Sequence, residues 1–396
     1  MTSAGLTPGA PPLRVLFVVQ GEGRGHLTQA LAAAEMLRAA GHAVVGALVG
    51  ASGRRTVPAF FRDAVGAPTG TYVSPNFVAG RQGAIRPAAT LARALRDGPA
   101  CRASLDRLAD AVERTEPDVI VNFYEALVGA YALVRSLDVP VVAVGHQFMM
   151  AHPTYPSVRV QPLQRAALAA YTRLAGARAA VRVALSFYPA ADQPERRVRV
   201  VPPLLRSRLF GLRRSVPAER RLLAYVMEPA LGARLAAWSD RTPGVRVDCF
   251  SDLPARVHSP RLAFHALSGD RFLDRMAAAS GVVCTAGFES VSEALWLGTP
   301  ALMLPVPNHV EQRCNAVDAV AVGAGMATTG RLDEIDAALD AFAASLDAGH
   351  AGDGAAPVRP TAVFRAWTAE APARFVGAVE TVGGRAPQPA RVAVAG

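Results

Sequence analysis

Three short clusters in this chain carry side chains able to move a proton. The first is Gly21-Glu22-Gly23-Arg24-Gly25-His26. Glycines let a backbone turn sharply and approach a ligand, and a helix starting there aims its N-terminal N–H groups at the same space. The helix dipole lowers the pKa of an imidazole so placed, which keeps it neutral and competent as a general base. His26 is therefore the candidate base, although a tight strand-to-helix turn would use the same residues with no ligand. Asn122-Phe123-Tyr124-Glu125 and Gly145-His146-Gln147 are the other two clusters. A base needs an orienting partner, which Glu125 or Asn122 could supply. Glu125 could equally be an ordinary first-turn acid of a helix. His146 and Gln147 could position a substrate or pack in the core.

A fourth block, Cys284–Ala316, has residues suited to an anion rather than a proton. Gly287 permits close backbone approach to a diphosphate, and N–H groups of a helix predicted from Ser290 would point at it. Glu293 lies almost one turn on, in reach of ribose hydroxyls, and Glu311-Gln312 open the next predicted helix. Ser290-Val291-Ser292-Glu293 also satisfies a capping box, which needs no ligand.

The elements that would hold these clusters alternate. Leu13–Val19, Ala43–Val49, Asp118–Asn122 and Val139–Val144 are apolar, β-branched runs of the kind buried on both sheet faces. Helical periodicity over Thr28–Ala40, Ala88–Glu113 and Ala126–Leu137 separates them. A second series runs Leu222–Met227, Gly244–Phe250, Leu262–Leu267, Gly281–Thr285 and Ala301–Leu304, with helices at Phe272–Ser280, Ser290–Leu297 and Gln312–Val322. Between the series, Arg196–Arg206 contains Pro202-Pro203, which suits neither a central strand nor a helix interior and predicts an interdomain connector. A final helix is predicted over Thr361–Val382, followed by a frayed tail. This pattern predicts an α/β fold of two Rossmann-like domains, with parallel sheets, helices on both faces and a cleft between them. The predicted domains are 1–200, 201–360 and, for the returning helix and tail, 361–396.

Composition narrows the function classes. With 396 residues, 51% hydrophobic and 19% charged, the chain is long enough for two packed domains and too apolar to be disordered. The net charge of +10 comes entirely from arginine, since the sequence holds no lysine. Those arginines are scattered and few aromatics interleave them, so no nucleic-acid partner is expected. Arg159, Arg165, Arg173, Arg178 and Arg182 leave open a peripheral membrane contact or an ordinary solvated face. Cys101, Cys249, Cys284 and Cys314 have no metal-ligand spacing and suit a reducing compartment. Without a signal-peptide pattern or an apolar run of about 18 residues, the expected location is cytoplasmic.

The Cys284–Ala316 block and the GRGHLTQ segment together resemble inverting glycosyltransferases of the two-domain GT-B fold, of family 28 (the lipid II N-acetylglucosaminyltransferase type) and family 1. The resemblance implies a bacterial hexosyltransferase that needs no cofactor and takes a nucleoside-diphosphate sugar, foremost a UDP-sugar. It places Gly287 and Ser290 at the diphosphate, Glu293 at the ribose and Glu311-Gln312 at the transferred sugar, with Gly25 and Phe288 in the same lining. It implies His26 near the acceptor and as base. The strand-end reading sets Glu125 beside it, and Asn122, His146 and Gln147 in the cleft on the side of a small-molecule or lipid acceptor. Ala286 stands where many members have Gly, and the Asp that often orients the family 1 histidine is missing from Asn122–Glu125. No Asp-x-Asp triplet occurs, so the sequence requires no metal. The alternatives are a sugar-nucleotide 2-epimerase, which shares the fold, and a non-catalytic sugar-nucleotide-binding accessory protein.

Overall fold

The computed structural model describes residues 11–21, 24–51, 57–74, 98–156, 158–215, 219–251, 254–351 and 362–384. Glu22, Gly23 and the first part of the expected Ala88–Glu113 helix lie outside them. Two seven-stranded sheets form the framework. The first holds β1 (Arg14–Val19), β2 (Ala43–Ala51), β3 (Thr69–Val73), β4 (Val119–Phe123), β5 (Val141–Gly145), β6 (Val181–Leu185) and β7 (Val198–Val201) in the order β3-β2-β1-β4-β5-β6-β7. Every pairing in it is parallel.

The second sheet holds β8 (Arg220–Tyr225), β9 (Val245–Ser251), β10 (Arg256–Ser259), β11 (Leu262–Ala266), β12 (Gly281–Cys284), β13 (Ala301–Met303) and β14 (Gly325–Ala327). Its order is β10-β11-β9-β8-β12-β13-β14, parallel except for the β10–β11 edge.

Both faces of each sheet are covered, which is why the central strands read as continuous apolar runs. On β1, Val15, Phe17 and Val19 enter one core, while Leu16 and Val18 enter the opposite one. The first of these cores also takes in Phe272, Phe288 and Val291 from the second half. Apolar packing is therefore continuous between the halves on the face carrying helix Arg24–Ala39.

Two expectations change. The Arg196–Arg206 stretch is not all connector, because Val198–Val201 forms the edge strand β7 and the prolines follow it; an edge position tolerates the missing donors. The last helix is two, Ala362–Ala369 and Ala371–Val382, broken where Pro372 can start a helix but not continue one. Both return to the first half: Trp367 Nε1 donates to the Ser186 carbonyl at 2.9 Å, and His42 meets Glu380 at 3.2 Å. Among the described residues no helix is long and apolar enough to cross a membrane.

Candidate active site

In open parallel sheets ligands bind beyond the C-terminal strand ends, and here the ends of both sheets face one cavity of about 450 Å³. Of the predicted site residues, all but Asn122 and Glu125 line it. The chain turns after β1 at Gly21, where a Cβ would stand 1.7 Å from the Gly50 carbonyl oxygen, so only glycine fits. Helix Arg24–Ala39 starts directly after and presents Gly25 and His26 in its first turn.

His26 is buried, and burial lowers its pKa, while Glu311 and a hydrogen bond with Gln29 pull the other way. The bond joins Nδ1 to Gln29 Oε1 at 3.2 Å. An amide oxygen accepts, so Nδ1 carries the hydrogen and the lone pair sits at Nε2. Tyr124 stacks on the imidazole at 5.7 Å and 25°. Its backbone holds a left-handed φ of 54°, and its hydroxyl bonds Thr172 at 2.6 Å.

Asn122 and Glu125 do not reach His26. The Asn122 amide donates to the carbonyls of Glu125 and Ala175, and its oxygen accepts from the Glu125 N–H. The Glu125 carboxylate caps helix Ala126–Val134 by accepting from the Leu127 N–H, and takes the Ser74 hydroxyl at 2.9–3.0 Å. Burial raises its pKa to about 7 despite those bonds and one from Tyr72. The pair forms the turn after β4 instead of orienting the imidazole.

His146 is at the cavity, and of its two ring nitrogens only Nδ1 is hydrogen-bonded among the described residues. Nδ1 bonds the Leu185 carbonyl at 2.6 Å, and Nε2 lies 3.5 Å from Asp318, on helix Val310–Ala321 of the other half. Burial lowers His146 to about 4 and raises Asp318 to about 7. The His146 ring stacks on Phe288 at 4.1 Å and 21°, and Gln147 donates to Glu311 at 2.9 Å. His146 and Gln147 thus join the two halves along one wall of the cavity.

The donor-type turn follows β12. Ala286 holds φ at 56°, a cost for an L-residue that Gly would avoid, and the Asn315 amide bonds its carbonyl at 3.2 Å. The expected capping box does not form. Helix Phe288–Leu297 begins two residues earlier than predicted, Gly287 is its N-cap, and Ser290 lies inside the first turn. Glu293, free of any capping duty, pairs at 2.9 Å with Arg206 of the connector. Burial still raises its pKa, against the pull of Arg206. The backbone N–H of Ser207 donates to Glu35 on helix Arg24–Ala39 at 2.7 Å, so the connector is tied to both halves. Gln312 Oε1 accepts from the Val306 N–H at 2.8 Å, and His309 caps the helix carrying Glu311 and Gln312.

Sequence reading passed over Gln29, Arg206, Glu289, Asn315 and Asp318. Gln29 and Glu289 were accessible in principle: one is three residues from His26 and the other four from Glu293, each on a shared helix face. Arg206 meets its partner across 87 residues, and no local pattern announces that. Of the arginines read as a possible membrane face, Arg159, Arg165, Arg173 and Arg178 are exposed, whereas Arg182 bonds the carbonyls of Gly176 and Arg196.

The family described as Glycosyl transferase family 1 matches residues 13–346. Among solved structures, that of CalG4, the calicheamicin glycosyltransferase, is 18% identical with a TM-score of 0.60 over 95% of this chain and 100% of that one. The glycotransferase of kitacinnamycin is 19% identical with a TM-score of 0.62 over 94% and 100%. Arabidopsis thaliana UGT89C1 in complex with UDP-L-rhamnose is 15% identical with a TM-score of 0.61 over 95% and 99%. At these identities the likeness is one of fold. No curated protein matches the sequence.

Proposed function

The chain belongs to glycosyl transferase family 1, and from that premise we propose that it transfers a hexose from a nucleoside-diphosphate sugar to an acceptor hydroxyl with inversion. His26 serves as base. Its Nε2 takes the acceptor proton while the oxygen attacks the anomeric carbon from the face opposite the diphosphate. The bond from that carbon to the leaving phosphate oxygen breaks, and its electron pair stays on the phosphate. Amides of the first turn of helix Phe288–Leu297 stabilise that charge, so the proposal needs no metal. Glu293 and Gln312 face the ribose and the sugar, and Glu311 joins them from its bond with Gln147.

A single observation carries this reading: His26 on one half and the N-terminus of helix Phe288–Leu297 on the other line the same cavity. The UDP-sugar bound by the similarly folded Arabidopsis thaliana protein makes UDP-hexoses the first donors to try. We assign residues 1–200 to the acceptor and 201–360 to the donor, with 361–396 as a final segment whose helices Ala362–Ala369 and Ala371–Val382 return to the acceptor domain. The acceptor is a small molecule or a lipid; in the lipid case, the exposed arginines would meet the membrane surface. Cys249, Cys284 and Cys314, buried as free thiols, suit a cytoplasmic site of action.

The test is a melting screen of nucleoside diphosphates and UDP-hexoses. A ligand at 100 times its Kd should stabilise the fold by about 2.7 kcal/mol. Slow hydrolysis of the selected donor, with water as acceptor, then gives a turnover assay before the acceptor is known. Melting curves unmoved by every nucleotide would reject the donor site.

A further inference from the structure

His26 has no carboxylate at Nδ1, yet a base in this position needs its tautomer fixed. We propose that Gln29 is the positioning residue of His26, and that Glu289, from the opposite half, positions Gln29 in turn. The inference rests on the reading of His26 as base.

Gln29 is only 2% exposed and lies one turn along the helix, with its Oε1 committed to the His26 Nδ1–H. That leaves its amide two N–H donors. Glu289 is the carboxylate beside them. Its carboxylate lines the cavity at 4% exposure, and neither oxygen has a hydrogen-bond partner among the described residues. Burial pushes its pKa well up and Glu293 pushes the same way, while Arg206 and the Gln29 amide favour the ionised form.

A buried carboxylate without a donor is costly, and Arg206 is already bonded to Glu293. The two helices meet closely here, since a Cβ at Gly25 would stand 3.5 Å from that of Glu289, in ordinary van der Waals contact. Catalytic hydrogen bonds are often long in empty sites and tighten on substrate binding. Closing the cleft onto a donor would bring Glu289 to the Gln29 amide and lock the imidazole. The base is then set only when the donor half is in place.

The alternatives to a carboxylate at Nδ1 differ in their pH signature. Glu311 from helix Val310–Ala321, Tyr124 after β4 and Gln29 on its own helix face His26, and Arg24 shares its first turn. Exchanging the amide for a carboxylate adds an adjacent negative charge and raises the imidazole pKa.

The experiment measures hydrolysis of the UDP-hexose giving the largest melting shift, with donor Kd from calorimetry. Gln29→Leu should lower kcat about tenfold or more and leave Kd within about twofold, because only the orientation of the base is lost. Gln29→Glu should restore most of kcat and move the acid limb of kcat/KM to higher pH. Glu289→Leu should raise Tm, since an unpaired buried carboxylate is removed, and yet lower kcat. Wild-type kcat in Gln29→Leu, or no rescue by Gln29→Glu, would overturn the role of Gln29. Wild-type kcat in Glu289→Leu, or a lower Tm, would remove Glu289 from it. His26→Ala separates the two layers: if it turns over normally the base itself is wrong, and if it is slow while Gln29→Leu is fast, only the positioning is wrong.

Discussion

The two halves of this molecule are wound alike and loaded differently. Leaving out the edges β7 and β10, each sheet follows the same path outward from its first strand, β3-β2-β1-β4-β5-β6 in one and β11-β9-β8-β12-β13-β14 in the other. In each, a glycine turn leads to a helix whose N-terminus faces the shared cavity, Arg24–Ala39 after β1 and Phe288–Leu297 after β12. The cavity wall of the first half carries imidazoles, amides and tyrosines: His26, Gln29, Gln147, Tyr124 and Tyr171. The second half has an imidazole, amides and a tyrosine of its own in His309, Gln312, Asn315 and Tyr225. It alone among the described residues supplies carboxylates, Glu228, Glu289, Glu293 and Glu311, together with helix amides. The fold accounts for where side chains gather and says nothing of which kind they are. Under the proposed reaction, proton removal falls to one half and leaving-group stabilisation to the other.

The largest way to strain that comparison is to unbalance the donor half. Glu293→Ala leaves the buried Arg206 guanidinium with only the exposed Asp270, at 4.0 Å, in place of its 2.9 Å partner, which should cost up to about 3 kcal/mol. Donor affinity should fall with it. Arg206→Leu, which leaves Glu293 unpaired instead, should destabilise comparably. Calorimetry giving wild-type affinity for a folded Glu293→Ala protein would remove Glu293 from the donor contacts.

A smaller perturbation sharpens the other half. Glu125 was a candidate partner of His26, and the structure turns it into a helix cap whose pKa rises from 4.5 to about 7 on burial. A carboxylate raised on folding opposes the native state wherever it must ionise. The cost is absent below its unfolded value of about 4.5, grows as pH rises and is complete above about 7, where it reaches about 3 kcal/mol. Glu125→Gln, which mimics the protonated cap, should melt higher than wild type above pH 7 and match it near pH 4. Turnover should be unchanged. A collapse of kcat in Glu125→Gln would put a carboxylate back beside the base and blur the distinction between the halves.

How much of this could be read beforehand follows from the range of each interaction. β1, β4 and β5 are buried on both faces, so their composition alone marks them, and the clusters at their ends came with them. β7 was hidden because Pro202-Pro203 directly follow Val201 and recast a four-residue edge strand as connector. Ser290 and Glu293 matched a capping box so well that the local pattern outweighed Gly287, which the structure makes the true cap. The distinction mattered, because a Glu293 spent on capping could not also meet Arg206. Asp318 beside His146 and the stacking of His146 on Phe288 are cross-half contacts, and Arg206 reaches Glu293 from the connector; all are set by tertiary packing and by nothing periodic in the chain.

The central claim is that the base and the donor site reside on opposite halves and can be lost separately. The direct measurement is kcat and donor Kd side by side for His26→Ala, with the UDP-hexose selected by melting. The account predicts kcat lower by about 100-fold or more, the scale of losing a general base, with Kd within a few-fold of wild type. Unchanged kcat, or a Kd weakened as much as kcat, would contradict it.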